Sequence, residues 1–214
     1  MLSRLNSPDW ANICRPDICF KPDICRTRTK IRRRVAGTIA LMREHHASDE
    51  EIREGPADWT LLKPHLYMQN LLRAADAVQR EGRLVAPMRG DRFPLVDTSD
   101  VGAAAAVVLG NPAAHAGKAY TLTGPVAHSY DEVAAALATV AGHAVAYEPT
   151  APRDFEARLL VAGIPGWRAF DLAHIASAYT IAENAVSPDL PMVLGREPRS
   201  LSEFLEDHRD AFSS

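Results

Sequence analysis

Apolar residues recur along this chain with two alternating periods, a period of two that favours short strands and a longer one that favours amphipathic helices. The sharpest change lies in residues 58–72, where a strand-like apolar run stops at Lys63-Pro64 and a helical pattern begins immediately afterwards. Pro64 has no amide hydrogen and cannot continue a central strand, so it marks the carboxyl end of one. Strand-like and helix-like segments alternate over the rest of the chain. This order predicts an α/β fold with a mainly parallel sheet.

The predicted elements are bounded by turn and cap signals. Strands are predicted at residues 58–63, 83–87, 92–96, 119–123 and 144–147. Helices are predicted at residues 31–42, 48–54, 65–80, 101–109, 130–141, 154–162 and 167–183, and a last helix begins at residue 200. Ser48, Ser129 and Ser200 are each followed three residues later by a glutamate, which is the spacing of a capping box at a helix start.

The composition is that of an ordinary globular protein, with 47% hydrophobic residues among 214. The net charge is −3, but residues 1–46 carry ten basic and four acidic residues, whereas the rest of the chain is acidic overall. We therefore expect an irregular basic segment at residues 1–45 and a second part at residues 46–214. No apolar run reaches the roughly 18 residues of a membrane span, and residues 1–8 lack the apolar core of a secretory signal. A cytoplasmic location is the expectation.

The basic segment contains two candidate binding features. Cys14, Cys19 and Cys25 are spaced by five and six residues, unlike the paired cysteines of a zinc knuckle, so no metal site is predicted. The basic run at residues 26–34 could contact phosphates, but it has no interleaved aromatic residues, and a solvated arm is the favoured interpretation. Nucleic acid is therefore not an expected partner.

Catalytic motifs are scarce. The glycines never form G-x-G-x-x-G, and no Tyr-x-x-x-Lys pair places a phenol one helical turn from an ammonium group, so no catalytic residue is assigned. Asp97 and Asp100 could be paired acids, although helix capping also explains them. Ligands of open α/β sheets bind beyond the carboxyl ends of strands, which makes His65, Tyr67 and Asn70 the candidate ligand-facing residues. A purely structural strand break is the alternative.

Six segments, taken in series, carry a resemblance to a known family. They are HASDEEI (46–52), WTLLKPHLYMQN (59–70), PLVDTSDV (94–101), GKAYTLTGP (117–125), SYDEV (129–133) and GREPRSLSEF (195–204). In order and spacing they resemble the C-terminal two-thirds of NmrA-like proteins, which are atypical short-chain dehydrogenase/reductases that bind NAD(P) on a Rossmann fold. The resemblance covers residues 46–212.

The resemblance implies an α/β fold with an incomplete Rossmann-like parallel sheet and a small C-terminal α/β lobe. It also implies that the strand ending at Pro64 lines a cleft for nicotinamide and substrate. Pro64, His65 and Leu66 would then contact the cofactor, NADP or NAD. Tyr67 and Asn70 would contact a small-molecule substrate.

The function implied by the resemblance is that of a reductase that delivers hydride to a quinone or a similar small electron-poor substrate. Family members begin with a strand and a glycine-rich turn that holds the pyrophosphate at a helix N-terminus. Residues 1–45 contain no comparable turn. A truncated remnant of a reductase is therefore also expected, and a homo-oligomer or a protein partner could complete it. The alternative is a non-catalytic protein that senses nucleotides or regulates other proteins.

Overall fold

The computed structural model describes residues 40–179 and 183–213. The strands in that part of the chain are β1 (Thr60–Pro64), β2 (Arg83–Ala86), β3 (Lys118–Leu122) and β4 (Ala146–Pro149). The α-helices are α1 (Ala40–Glu54), α2 (Ala75–Glu81), α3 (Thr98–Gly110), α4 (Pro112–His115), α5 (Tyr130–Ala141), α6 (Pro152–Val161), α7 (Gly166–Ala178), α8 (Asp189–Leu194), α9 (Leu201–Asp207) and α10 (Arg209–Phe212). A 3₁₀ helix, Met68–Ala74, lies between β1 and α2.

The strands form two parallel pairs. β1 pairs with β3, from Thr60 beside Lys118 to Pro64 beside Leu122. β2 pairs with β4 in the same parallel sense. The predicted α/β class with parallel strands is confirmed, and the described residues distribute their strands over two short sheets rather than one.

Each strand pair has its own hydrophobic core. The larger core surrounds β2 and β4 and contains Met68, Phe93 and Leu137, with Phe204 and Phe212 packed on it from the C-terminal helices. The smaller core packs α3 and α8 against β3. Its buried residues are Val96, Ala104, Val108, Tyr120, Leu122, Leu190 and Val193. Because burial of apolar surface is the main force in folding, the two cores rather than the short sheets hold this part of the chain together.

Three extended segments meet between the two cores. The amide of His65 donates to the carbonyl of Leu122 over 2.9 Å, which continues the pairing beyond the end of β1. The amide of Val96 donates to the carbonyl of Leu66 over 2.9 Å, and the amide of Met68 donates back to Val96 over 2.9 Å. The segment that follows β1 is therefore held by backbone hydrogen bonds from two neighbouring segments.

The same junction leaves no space for a side chain at residue 124. A Cβ atom on Gly124 would lie 2.0 Å from the carbonyl oxygen of Leu95. The amide of Gly124 also donates to the carbonyl of Pro94 over 3.2 Å. Only glycine permits the chain leaving β3 to approach this backbone so closely.

A side chain closes the outer edge of β3. The amide of Thr121 donates to Oδ2 of Asp189 over 2.7 Å, at the first residue of α8. Just beyond the strand, the hydroxyl of Thr123 accepts a hydrogen bond from the amide of Ser187 over 3.0 Å. The carboxylate thus takes the place of a neighbouring strand at this edge.

The helix start predicted at Ser48 is wrong, because α1 runs without interruption from Ala40 to Glu54. No glycine or proline occurs between these two residues to break the helix. A capping box requires that the backbone before its serine leaves the helical conformation, and here it does not. As a result, α1 passes through residue 46, where the composition of the chain changes.

The strand predicted at residues 92–96 does not form as one strand. Phe93 and His128 exchange two backbone hydrogen bonds, of 2.9 and 3.0 Å, whereas Val96 bonds to the segment after β1. Pro94 separates the two sets of bonds because it has no amide to donate. This segment therefore bridges two neighbours instead of pairing with one.

Two helices have ends that differ from the predicted ones. Residues 65–67 are not helical, and the helix after β1 begins only at Met68, with a 3₁₀ turn. α7 ends at Ala178, and Tyr179 is extended. The prediction that this helix continues beyond Ala178 is therefore wrong. The short helices α4 and α8 were missed because they have too few residues to show a helical period.

The other predicted elements are confirmed within three residues at each end, namely strands β2, β3 and β4 and helices α3, α5 and α6. The capping boxes at Ser129 and Ser200 are present as well. Each serine side chain accepts from the amide of a glutamate, Glu132 or Glu203, whose side chain accepts from the serine amide in return. Gly142 ends α5 in the left-handed conformation, with φ of 75°.

Some candidates lie outside the described residues, namely the three cysteines and the basic run at residues 26–34. Within residues 40–179 and 183–213, no helix is long and apolar enough to cross a membrane. In the same ranges, no group of three or more histidine, cysteine, aspartate and glutamate side chains is arranged to hold a metal ion.

Replacing Gly124 with alanine should lower the free energy of unfolding by about 3 kcal/mol, because the added methyl group overlaps the carbonyl oxygen of Leu95. Urea unfolding followed by circular dichroism measures the change. Gly102→Ala is the matched control, since Gly102 lies within α3 and a Cβ there meets no atom within 4 Å. Alanine at residue 102 should stabilise the protein by up to about 1 kcal/mol. Similar effects of the two substitutions would contradict the close approach at residue 124.

Candidate functional site

The candidate site begins where β1 ends. Pro64, the last residue of β1, is half-buried, and Leu66 is buried in the larger core. Tyr67 is 38% exposed, and Asn70 is exposed on the 3₁₀ helix. The predicted residues thus share one short stretch of backbone, but only some of their side chains face solvent.

His65 is the buried polar residue of this stretch. Its side chain is 5% exposed. The centroid of its ring lies 4.3 Å from that of Tyr179 and 6.3 Å from that of Phe93. Neither ring nitrogen has a hydrogen-bond partner within the described part of the chain, and Oδ1 of Asn184 is unpaired as well. Burying polar atoms without partners is costly, so an imidazole in this state is a candidate for ligand binding.

Burial lowers the pKa of His65 to about 4, and the side chain of Asn184 and the charge of Glu183 oppose this shift only in part. Asn184 lies close enough to influence the pKa, but it does not meet the geometry of a hydrogen bond with the ring. The imidazole is therefore neutral at pH 7, with one N–H donor and one acceptor nitrogen. Such a ring can donate to a carbonyl oxygen without bringing a positive charge into the site.

Tyr179 packs against the His65 ring from the C-terminal end of α7. Burial raises the pKa of Tyr179 to about 12, and the charge of Glu183 and the nearby Tyr67 add to the shift. The phenol therefore keeps its proton at neutral pH. Sequence reasoning missed Tyr179, because its contact with His65 joins residues far apart in the chain and no local pattern marks it.

A cavity of about 230 Å³ includes Tyr179 in its wall. The lining residues are Pro87, Arg89, Asp91, Pro152, Ala173, His174, Ala176 and Tyr179. Its walls are mainly small or apolar, and the exposed residues Arg89 and Asp91 bring charges of opposite sign to it.

Asp97 is a helix cap rather than a free acid. Its carboxylate accepts from the amide of Ser99 over 2.9 Å and from Nε2 of Gln69 over 2.7 Å. Nε of Arg199 approaches it to 3.1 Å. The capping interpretation is therefore confirmed for Asp97, and Gln69 links the cap to the 3₁₀ helix that carries Asn70.

Asp100 is buried and fully paired. It accepts from Nη2 of Arg196 over 2.7 Å and from the amide of Arg199 over 2.6 Å. Both contacts come from the segment before α9. Asp100 therefore ties the C-terminal segment to the first turn of α3 and is not available as an acid or base.

The structure thus brings His65 and Tyr67 together with Tyr179, at the carboxyl end of a parallel strand and beside a cavity. In open α/β sheets, ligands bind beyond the carboxyl ends of the strands, and these side chains lie at such an end. The family model of the NmrA-like family matches residues 39–205. The chain therefore belongs to the NmrA-like family, as its six matching segments predict.

Known relatives include reductases. The chain is 31% identical over 171 residues to the NAD(P)H azoreductase of Xenophilus azovorans, and the match covers 78% of this chain and 58% of the azoreductase. The NADPH complex of the NADPH-dependent quinone oxidoreductase of Escherichia coli is similar in structure, with a TM-score of 0.69 at 26% identity, over 79% of this chain and 60% of that chain. The triphenylmethane reductase of Citrobacter sp. has a TM-score of 0.69 at 25% identity, over 82% of this chain and 62% of that chain. The chain thus spans about six-tenths of the length of these relatives.

The free energy of unfolding should fall by up to about 3 kcal/mol as the pH drops from 6.5 to 4, because the unfolded His65 takes up a proton near pH 6.5 and the folded residue only near 4. His65→Leu, which cannot be protonated, should flatten this part of the curve. Urea unfolding at closely spaced pH values measures both proteins. Parallel curves for wild type and variant would show that His65 is not buried as a neutral ring.

The protonation of Asp97 should change the stability of the protein in a second, more acidic pH range. Burial alone would raise its pKa, but hydrogen bonds from Ser99 and Gln69 and the charge of Arg199 lower it below the usual value of 3.8. The stability that Asp97 supplies is therefore complete above about pH 4 and is lost as the pH falls through the lowered pKa. Asp97→Asn should reduce stability by about 1 kcal/mol at pH 7 and by less in stronger acid. A loss that does not shrink below pH 4 would contradict this assignment.

Proposed function

We propose that this chain is an NAD(P)H-dependent reductase of small, electron-poor molecules such as quinones. The observation that carries the proposal is the buried ring of His65, whose two nitrogens lack partners in the described part of the chain, directly beyond the carboxyl end of β1. The similarity to an azoreductase and to an NADPH-dependent quinone oxidoreductase supports it.

Pro64, His65 and Leu66 would form the wall against the nicotinamide ring. Pro64 presents apolar surface at the end of β1, and Leu66 supports the wall from the core. The neutral imidazole of His65 has one donor and one acceptor, which suits a carboxamide with its carbonyl and amino groups. The bound cofactor would supply a hydride, and these residues would hold its ring at the mouth of the cleft.

Tyr67 and Asn70 would contact the substrate, since both side chains are accessible next to that wall. The Tyr67 ring offers a face on which a flat electron-poor ring can stack. The Asn70 amide can donate to a quinone oxygen. Tyr179, whose phenol is protonated, lines the cavity, and its ring lies 4.3 Å from that of His65.

The apolar surface of Pro64 and the donor and acceptor of His65 support a site for the nicotinamide end of the cofactor. The sequence contains no G-x-G-x-x-G motif for the pyrophosphate, so the affinity for NADPH and NADH is the first quantity to measure. A cytoplasmic location and a homo-oligomer or protein partner stay predictions. The non-catalytic, nucleotide-sensing alternative makes a different prediction for the same experiment.

Titrating the full chain with NADPH should increase the nicotinamide fluorescence to saturation, and adding naphthoquinone should then consume NADPH absorbance. Absence of any fluorescence change at millimolar NADPH would contradict cofactor binding by this chain. Saturable binding with no reduction of any quinone would favour the nucleotide-sensing alternative over a reductase. The same titration with NADH decides which cofactor binds more tightly.

Tyr67→Ala should raise the KM for naphthoquinone about tenfold, because the stacking surface is lost, and Tyr67→Phe should change it less than about twofold. Initial rates at saturating NADPH measure both variants. The two variants control for one another, since they share the loss of the hydroxyl and differ in the ring. Equal losses in both would assign the effect to the hydroxyl and reject stacking.

A further inference from the structure

We propose that the connection between α6 and α7 binds the surface of a membrane that contains anionic lipids. The two helices pack against each other as a hairpin. The tip of this hairpin, residues 160–168, joins the end of α6 to the start of α7. The inference concerns a surface away from the strand ends and does not depend on the proposed reductase activity.

The tip exposes large apolar side chains to solvent. Val161 is 92% exposed, Trp167 is 66% exposed and Leu160 is 47% exposed. A Cβ atom on Gly166 would lie 4.0 Å from Cδ2 of Leu160, which shows that the end of α6 contacts the start of α7. These apolar side chains therefore lie together at one end of the hairpin. Such an exposed group of apolar residues indicates a site that another surface covers.

The charges beside the tip indicate which kind of surface this is. Arg158 and Arg168 are the only charged residues between residues 157 and 170, and both are exposed. Neither guanidinium forms an ion pair with a residue that the structure describes. Arginines beside exposed apolar residues suit an anionic bilayer, because they bind lipid phosphates while the apolar side chains enter the acyl boundary. Tryptophan favours the same depth of the bilayer.

The backbone of the tip is suited to a medium without water. Ala162, Gly163 and Ile164 donate their amides to carbonyls in the last turn of α6, each over 3.0 Å. Gly163 makes this possible because its φ is 81°, in the left-handed region. Pro165, the next residue, has no amide to donate. Unpaired amides are costly in lipid, whereas a protein interface can supply them with water, so this pairing favours lipid.

The contact is shallow and local. The tip is far shorter than the roughly 20 residues of a membrane-spanning helix, so it would enter one leaflet only. The chain has a net charge of −3, so an anionic surface repels it as a whole and attracts it only through local cationic groups. The basic run at residues 26–34 is a second cationic group of this kind. The experiment must therefore separate that run from the tip.

The test is co-sedimentation of the full chain with phosphatidylcholine vesicles that contain about 30% phosphatidylglycerol. The wild type should bind these vesicles at least about tenfold more tightly than pure phosphatidylcholine vesicles, and added salt should reduce the difference. Val161→Ser and Trp167→Ser should each weaken binding about tenfold, because less apolar surface enters the bilayer. Arg168→Gln should weaken it about fivefold.

Two substitutions of exposed residues elsewhere are the matched controls. Leu109 is 76% exposed near the end of α3, and Leu109→Ser should bind like the wild type. The side chain of Arg80 is 75% exposed on α2, and Arg80→Gln should also bind like the wild type. Trp167→Phe should keep binding within about threefold but lose the blue shift of tryptophan fluorescence that vesicles cause in the wild type.

Three results would overturn the proposal. The first is no binding to anionic vesicles, and the second is the same loss in Trp167→Ser as in Leu109→Ser. The third is full binding in both Val161→Ser and Trp167→Ser, which would assign the contact to the basic run at residues 26–34.

Sedimentation velocity without vesicles tests the tip as a contact between two copies of the chain. A dimer that Trp167→Ser converts to a monomer, together with no binding to vesicles, would replace the membrane by a second copy. None of these measurements uses NADPH or turnover, so the proposal fails or succeeds independently of the proposed reductase.

Discussion

The carbonyl oxygen of Leu95 occupies the space in which a side chain of residue 124 would begin, so the two backbone segments can approach this closely only with glycine at that position. The chain leaving β3, the segment at 93–96 and the segment after β1 all meet there. Each is within hydrogen-bonding reach of another, so none can shift alone. His65 and Tyr67 belong to the segment held from two sides. Their side chains are therefore positioned by the backbone. The His65 ring, which makes no hydrogen bond with the residues that the structure describes, packs against Tyr179.

The C-terminal segment depends on a second constraint, the two carboxylates at the start of α3. Asp97 and Asp100 bind Arg199 and Arg196 just before the chain enters α9. Arg196 is half exposed, so its ion pair adds little stability. The buried carboxylates instead fix the path of the chain into α9, since any other path would leave Asp100 buried without a partner. This direction brings Phe204 onto the larger core.

Local interactions were predictable from the sequence and distant ones were not. The capping boxes at Ser129 and Ser200 need only four consecutive residues, and the order of elements needs only a change in period. Ser48 has the same spacing, but it lies inside a helix because a cap depends on the backbone before it. The family resemblance and the proline break together located the stretch that holds His65. They did not locate Tyr179 or the cavity, because those contacts arise when separate parts of the chain pack together.

Because the carboxylate of Asp189 occupies the outer edge of β3, a further strand could join the sheet formed by β1 and β3 only at β1. The outer edge of β3 is closed, and within the described ranges no strand pairs with the opposite edge of β1. Because successive residues alternate, Thr60, Leu62 and Pro64 direct their backbone groups to that edge, and Pro64 has no amide. An added strand would meet amide donors only at Thr60 and Leu62, but carbonyl acceptors at Thr60, Leu62 and Pro64. The proline that ends β1 thereby also limits the register in which this sheet can be extended.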